Sequence, residues 1–168
     1  MFVGGAPGVG KTTLATALAA ELGLPLVAKD AIKEPLMDTL GAPDLAASGR
    51  LGAATYAVLW AMADALSASG PGLVLESNFH RDLAGPRLRA LAARGDATFV
   101  HCVAPVALIR SRHAARVRHP GHRDAERLAG WDGDLTTFEP PEGIRVIRVD
   151  TSGAADVPAT AERIRHPD

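Results

Sequence analysis

The stretch Gly5-Ala6-Pro7-Gly8-Val9-Gly10-Lys11-Thr12 constrains the fold of this chain more than any other feature. It matches the pattern G-x-x-x-x-G-K-[ST], which is typical of loops that cradle phosphate groups. The apolar run "MFVG" at 1–4 leads into the stretch, and the Ala/Leu-rich segment 11–22 follows it directly. Such a loop lies between a strand and a helix. The stretch therefore predicts the opening strand, loop and helix of an α/β domain.

Four more apolar runs follow, at 25–28, 72–76, 97–104 and 144–149. The first three, like the run at 1–4, are dense in apolar residues rather than alternating, which is typical of parallel strands covered by helices on both faces. The last carries two arginines and indicates an edge strand. Candidate helices follow the runs at 11–22, 31–40, 53–68, 81–94, 106–117 and 157–165. This alternation predicts a three-layer α/β/α domain.

The overall totals exclude several classes of protein. A length of 168 residues predicts a single domain, and a formal net charge of -1 gives no reason to expect a nucleic acid or an anionic membrane as partner. The single cysteine, Cys102, lies in an apolar run and suits a buried position in a protein of the reducing cytosol. No signal peptide and no apolar stretch of about 20 residues is evident, so we expect a cytoplasmic protein that does not span a membrane.

The glycines of the first loop suit a role in binding an anion. Gly5, Gly8 and Gly10 can adopt backbone angles that other residues avoid, so their N–H groups can turn inward and form a nest for an anion. The helix that starts near Lys11 adds the positive end of its dipole at the same point. Lys11 is then expected to reach the β- and γ-phosphates of a nucleotide, and the hydroxyl of Thr12 to bind Mg²⁺.

Two carboxylates stand where apolar runs end. Ligands of open α/β sheets bind beyond the carboxyl ends of the strands. There Asp30 could accept a proton from a substrate hydroxyl, and Glu76 could hold Mg²⁺ through water or bind the substrate. The alternatives are that Asp30 caps a helix beginning at residue 31 and that Glu76 makes a structural hydrogen bond or ion pair. Lys29 and Lys33 are interpreted as plain surface charges.

The segment 106–123 is rich in arginine. Its arginines are Arg110, Arg112, Arg116, Arg118 and Arg123. They are either a solvated surface or a lid that closes over a nucleotide, since guanidinium groups stabilise the charge that grows during phosphoryl transfer. His119 and His122 have no cysteine or acidic residue at a convincing ligand spacing, so no metal site is expected there.

The apolar helix at 53–68 carries Tyr56, Trp60 and Met62. Trp60 and Met62 are interpreted as core residues. The alternative is that, together with Tyr56, they line a substrate pocket between the second and third strands.

Four blocks of the sequence together resemble a known family. They are "GGAPGVGKTTLA", "KDAIKEPLMDTLG", "VLESNFHR" and "LIRSRHAARVRHPGHRD". These blocks, within residues 1–152, resemble the P-loop small-molecule kinases, especially the ATP-binding kinases grouped near chloramphenicol phosphotransferase and the zeta toxins. The resemblance implies a P-loop NTPase fold with five parallel strands in the order 2-3-1-4-5. It also implies one domain over 1–168, with a substrate-binding helical region at about 31–71 and a lid at about 110–135.

The resemblance also assigns roles to residues. Asp30 matches the catalytic Asp of the group, Lys11 and Arg116 are expected to assist it, and Thr12 matches the Mg²⁺ ligand. The backbone of 151–156 matches a loop that contacts adenine. The expected nucleotide-binding residues are Gly5, Ala6, Pro7, Gly8, Val9, Gly10, Lys11, Thr12, Thr13, Arg110 and Arg112. The expected substrate-binding residues are Asp30, Glu76, Asn78, Tyr56 and Trp60.

The sequence therefore predicts an ATP-dependent kinase that uses Mg²⁺ and acts on a hydroxyl of a small molecule. A motor-type or AAA-type ATPase is the second hypothesis, but no apolar run ends in the Asp-Glu pair that activates water in such enzymes. A GTPase would need an N-K-x-D signature, which is missing. The remaining hypothesis is a regulatory module that binds ATP without turning it over. Asp30 argues against it, since a pure binder needs no base beside the γ-phosphate.

Overall fold

The computed structural model describes residues 1–70 and 72–166 and contains a five-stranded parallel sheet in the order β2-β3-β1-β4-β5. The strands are β1 Phe2–Gly4, β2 Leu26–Ala28, β3 Val74–Glu76, β4 Thr98–Val103 and β5 Arg145–Asp150. The helices are α1 Lys11–Leu22, α2 Lys29–Leu40, α3 Leu45–Ser69, α4 Arg81–Ala92, α5 Val106–Ala115, α6 Asp124–Ala129 and α7 Val157–Arg165. The predicted fold class and strand order are confirmed.

The two faces of the sheet build two separate halves of the core. On β1, Val3 packs into one apolar cluster with residues of α1, α5 and α7, while Phe2 packs into another with residues of α3 and α4. Successive side chains of a strand point to opposite faces, so the sheet has helices on both sides. The short β1 lies between β3 and β4 and is buried throughout. The predicted three layers are confirmed.

The edge strands differ in how well the sequence predicts them. The alternating exposure of β5 agrees with the two arginines of its run. The other edge is β2, which pairs with β3 and whose end residues, Leu26 and Ala28, are only partly buried. Its dense apolar run predicted a strand buried on both faces, and this expectation is wrong. A run of four residues is too short to distinguish an edge strand from a central one.

Two helices begin earlier than the sequence predicted. Helix α3 starts at Leu45 rather than at 53, because the carboxylate of Asp44 accepts a hydrogen bond from the amide of Ala47 at 2.7 Å and caps the helix. Helix α2 starts at Lys29, with Ala28 as its N-cap residue. Asp30 therefore lies inside the first turn, and its interpretation as the N-cap is wrong.

Helix α3 is the most apolar helix of the described residues. Its span Leu45–Ala68 is long and apolar enough to cross a membrane by length and composition alone, with a mean hydropathy of 1.2. Core helices of soluble proteins also pass this test. Here Leu51, Thr55, Leu59 and Ala63 repeat every fourth residue and are buried in the protein. This face therefore packs on the core.

The packing of α3 can be tested at two neighbouring positions. Leu59 is fully buried in the cluster beside Phe79, whereas Val58 is 43% exposed. We expect Leu59→Ala to lower the free energy of unfolding by about 2–5 kcal/mol, because it leaves a cavity. Val58→Ala should change it by less than about 0.5 kcal/mol. Denaturant titration of both variants measures this, and equal effects would contradict the packing described.

Candidate functional site

The loop between β1 and α1 has a backbone that favours glycine at three positions. Gly5, Gly8 and Gly10 have φ angles of 139°, 86° and 106°, in the region that L side chains avoid. A Cβ on Gly5 would lie 2.6 Å from the carbonyl oxygen of Cys102, and one on Gly8 would lie 2.9 Å from that of Ile109. The loop is thus packed closely against the end of β4 and against α5.

Lys11 starts α1 and is buried beneath the loop. Its ammonium group donates a hydrogen bond to the carbonyl oxygen of Ala6 at 3.0 Å. Burial lowers the pKa of Lys11, and the nearby carboxylate of Glu76 opposes this shift. The side chain is therefore a buried cation next to the anion-binding loop.

Thr12 and Glu76 connect the loop to β3. The hydroxyl of Thr12 donates to a carboxylate oxygen of Glu76 at 3.4 Å. Burial raises the pKa of Glu76, against the attraction of Lys11. The hydrogen bond agrees with the structural alternative for Glu76, but it also places two oxygen donors side by side, as a Mg²⁺ site needs.

A cavity of about 370 Å³ opens beside the loop, between α2, α3, the end of β3 and the chain after α5. It brings together many of the predicted site residues. Those that line it are Pro7, Lys11, Asp30, Tyr56, Glu76, Asn78 and Arg116. Its volume is in the range of small-molecule sites.

Asp30 lies on the wall of this cavity. Ala28, the last residue of β2, pairs in register with Glu76, so the first turn of α2 places Asp30 beside Glu76 and Lys11. The Asp30 carboxylate is partly exposed and forms an ion pair with Arg118. The base predicted from the sequence therefore faces a space that a substrate can enter.

Three acidic residues on one face of α2 hold the segment 116–123, which joins α5 to α6 and is called here the connecting segment. Besides the pair of Asp30 with Arg118, a carboxylate oxygen of Glu34 lies 2.9 Å from His122, and one of Asp38 lies 2.9 Å from His119. His119 and His122 therefore do have acidic partners, although none lies near them in the sequence. The partners lie on α2, and their spacing of four residues was the signal that could have revealed them.

The described residues contain no cluster of three or more metal-ligating side chains. Asp124 contacts two arginines of the connecting segment and a histidine of α5. It lies 3.0 Å from Arg116, 3.3 Å from Arg118 and 3.4 Å from His113. Arg116 therefore lines the cavity as expected, but it is held by Asp124. Arg118, which the sequence analysis counted among the possible lid arginines without a role of its own, is the arginine that reaches Asp30.

A second cavity, of about 430 Å³, lies on the other side of the loop. It is lined by Gly10, Thr13, Leu14, Ala17, Arg112, Thr151, Gly153, Ala154, Ala155 and Val157. Arg112 donates to the carbonyl oxygens of Thr151 at 2.7 Å and of Ser152 at 2.9 Å. Thr13, Arg112 and most of the predicted adenine loop 151–156 thus surround one space.

Arg110 does not line the second cavity. Its guanidinium group donates to the carbonyl oxygen of Trp131 at 2.9 Å and lies 4.8 Å from the centre of the Trp131 ring. It lines neither of the two cavities. Arg110 therefore faces the chain after α6, and its expected contact with the nucleotide stays a prediction.

The aromatic residues of α3 take different positions. Tyr56 lines the cavity and its hydroxyl lies 2.9 Å from that of Ser77. Trp60 stacks between the rings of Tyr56 and Phe79, at 5.6 Å and 6.0 Å, and does not line the cavity. Trp60 is therefore a packing residue rather than a direct substrate contact. Met62 is 39% exposed, so its interpretation as a core residue is wrong.

The two lysines of α2 are not plain surface charges, and that expectation is wrong. Lys33 is only 5% exposed, and its ammonium group donates to the hydroxyl of Ser48 at 3.1 Å. The ammonium group of Lys29 lies 4.5 Å from the centre of the Tyr56 ring. Both lysines line the cavity, because α3 folds back over α2 and covers them.

Comparison with known proteins places the chain in a family. Residues 1–141 match the family described as AAA domain. A predicted kinase of known structure, from Chloroflexus aurantiacus J-10-fl, is 36% identical to this chain. Its match covers 98% of this chain and 95% of that one, with a TM-score of 0.82. No curated protein matches the chain.

Other solved structures share the fold at lower identity. A sugar kinase from Janibacter sp. HTCC2649 is 23% identical with a TM-score of 0.60, over 96% of this chain and 89% of that one. A gluconokinase from Sinorhizobium meliloti 1021 is 21% identical with a TM-score of 0.57, over 97% and 87% of the two chains. The chain therefore belongs to the family described as AAA domain, and its fold is that of the P-loop small-molecule kinases.

Proposed function

We propose that this protein is an ATP-dependent kinase that transfers the γ-phosphate to a hydroxyl group of a small molecule. One observation carries the proposal. The phosphate loop and the carboxylate of Asp30 open onto the same cavity of about 370 Å³. A cavity of this size beside a phosphate site leaves room for an acceptor, which an enzyme that only hydrolyses ATP does not need.

The nucleotide is expected to bind on both sides of the loop. Its phosphates bind the backbone N–H groups of Gly5, Gly8 and Gly10 and the ammonium group of Lys11, which gives up its hydrogen bond to Ala6. Its base enters the second cavity, where Arg112 holds the loop after β5 in place. The glycines fit this role, because a side chain on Gly5 or Gly8 would collide with the backbone behind the loop.

The reaction is an in-line displacement. The acceptor oxygen forms a bond to the γ-phosphorus, the bond from that phosphorus to the bridging oxygen breaks, and ADP leaves with the bonding pair. Asp30 takes the proton of the attacking hydroxyl. Its ion pair with Arg118 must open for this, and the released guanidinium group can then face the transferred phosphoryl group alongside Arg116.

The hydroxyl of Thr12, just after the loop, and the carboxylate of Glu76, at the end of β3, form a pair of oxygen ligands that suits Mg²⁺, since they lie 3.4 Å apart. Bound there, the ion would neutralise charge on the β- and γ-phosphates. Glu76 can act directly or through water. This role explains why a carboxylate is buried at the end of β3, where burial raises its pKa.

Release of ADP tests the proposal. The purified protein is given ATP and Mg²⁺, with and without each member of a panel of nucleosides, sugars, aminoglycosides and amphenicols. We expect slow release of ADP without an acceptor and a marked increase with at least one class. Release that is equally fast with and without every acceptor would indicate an ATPase, and binding of ATP without any release would indicate a regulatory module.

A further inference from the structure

Lys33 is a buried cation without a buried counter-charge. It lies one turn after Asp30 on α2, lines the cavity and is 5% exposed. Its partner is a neutral group, the hydroxyl of Ser48, at 3.1 Å. Across residues 1–70 and 72–166, no carboxylate lies within ion-pair distance of Lys33, and the same holds for Arg127. Burying a charge is costly unless it is paired.

A second cation meets the same hydroxyl. The guanidinium group of Arg127, on α6, lies 3.4 Å from the hydroxyl oxygen of Ser48, and Arg127 also lines the cavity. Ser48 is fully buried. Two positive charges therefore face one hydroxyl oxygen. This oxygen can accept a hydrogen bond from each of them, and the hydroxyl can still donate its own proton. This is a set of donors for an oxyanion.

The nearby acids are paired with other cations, and Asp30 offsets the charge of Lys33 only in part. Asp30 pairs with Arg118, Glu34 with His122 and Asp124 with Arg116. Burial and the positive charges of Lys29 and Arg127 lower the pKa of Lys33 to about 8. At neutral pH the lysine still carries its charge, and an anion beside it would relieve the repulsion.

Space for such an anion comes from α3. Gly49 and Gly52 line the cavity next to Ser48, and a Cβ on Gly52 would lie 3.8 Å from the ammonium group of Lys33. Small residues on this face keep the cavity open where the cations lie.

We propose that Lys33, Ser48 and Arg127, called here the anion corner, bind a carboxylate or phosphate group of the acceptor. The acceptor is then a hydroxylated organic acid or a phosphate ester. It places its anionic group in the anion corner and a hydroxyl at Asp30, one helical turn away. The bound molecule is an acceptor only if the proposed kinase function is right, and in this respect the inference rests on that function. Binding of the anion itself does not depend on turnover.

Binding is measured by calorimetry on the full chain saturated with ADP, so that added phosphate groups do not enter the loop. The probes are gluconate, glucitol 6-phosphate and glucitol, which share a six-carbon chain and differ in the charged group. We expect at least one of the two anions to bind at least tenfold more tightly than neutral glucitol. Binding of only gluconate or only glucitol 6-phosphate shows whether the anion corner takes a carboxylate or a phosphate.

Variants test which residues are responsible. Lys33→Met and Arg127→Leu should each weaken binding of the preferred anion by about 10- to 100-fold and leave the affinity for ADP within a few-fold. Arg50→Met, which removes an exposed charge from α3, should change neither affinity. Because Lys33 is an unpaired buried charge, Lys33→Met should keep or raise the melting temperature, whereas loss of a structural lysine would lower it.

The outcomes separate the two proposals. Failure of both anions to bind the wild-type protein, equal binding of glucitol, or an unchanged affinity in Lys33→Met would each overturn the anion corner. If neutral acceptors are phosphorylated without any preference for anions, the kinase function stands and the anion corner is wrong. If anions bind as expected but no acceptor stimulates release of ADP, the anion corner stands and the kinase function fails.

Discussion

Asp30→Asn is expected to lower acceptor-dependent turnover by about 10²- to 10⁴-fold and to leave the affinity for ATP within a few-fold of the wild type. The amide has nearly the same shape as the carboxylate but cannot take the proton of the attacking hydroxyl. The nucleotide phosphates are bound by the loop and Lys11 rather than by Asp30, so ATP binding should persist. Steady-state release of ADP and calorimetric titration of ATP measure the two effects.

The control for Asp30→Asn comes from the same face of α2. Asp38→Asn also removes a carboxylate that holds the connecting segment, through His119, but Asp38 does not line the cavity. It should lower turnover by less than about tenfold. If Asp30→Asn left turnover unchanged, or if the two variants lost it equally, the role of Asp30 as the base would be wrong, and its ion pair with Arg118 would be merely structural.

Lys11→Ala is expected to weaken the binding of ATP by about 10- to 100-fold, because a charged hydrogen bond to a phosphate contributes about 1.5–3 kcal/mol. Calorimetric titration of ATP measures the loss of affinity, and thermal denaturation without ligand shows whether the variant is folded.

Lys29→Ala is the matched control for this loss of affinity. It removes a second partly buried ammonium group at the carboxyl end of the sheet, but Lys29 faces the ring of Tyr56 rather than the loop. Its affinity for ATP should stay within a few-fold of the wild type. An equal loss in both variants would indicate a general effect of positive charge in the cavity and would contradict a specific contact of Lys11 with the phosphates.

The parts of the fold that the sequence predicted best are those with short-range patterns. The bounds of α1 and α7 agree with the prediction, because glycine and proline at their ends are local signals. The start of α3 was missed, because Gly49 and Gly52 resemble loop residues. They are tolerated in a helix whose buried face, with Leu59 and Ala63, is stabilised by packing.

The residues of the candidate site also differ in how well the sequence reveals them. Asp30 and Glu76 could be selected because carboxylates directly after buried strands are conspicuous in a sequence. Lys33, Ser48 and Arg127 could not, since each resembles an ordinary surface residue of its helix. Their contacts span 15 and 79 residues of chain, and no local pattern indicates them.

The sequence by itself determined the phosphate loop, the alternation of strands and helices, and the acids at the strand ends. These depend on backbone angles and on apolar runs that a few neighbouring residues specify. Only the tertiary structure decided which arginine reaches Asp30, that Trp60 packs behind Tyr56, and that two unpaired cations share a hydroxyl inside the cavity. Such juxtapositions arise when α2, α3 and the chain after α5 pack together. Burial then changes the energy of each charge by an amount that depends on all its neighbours.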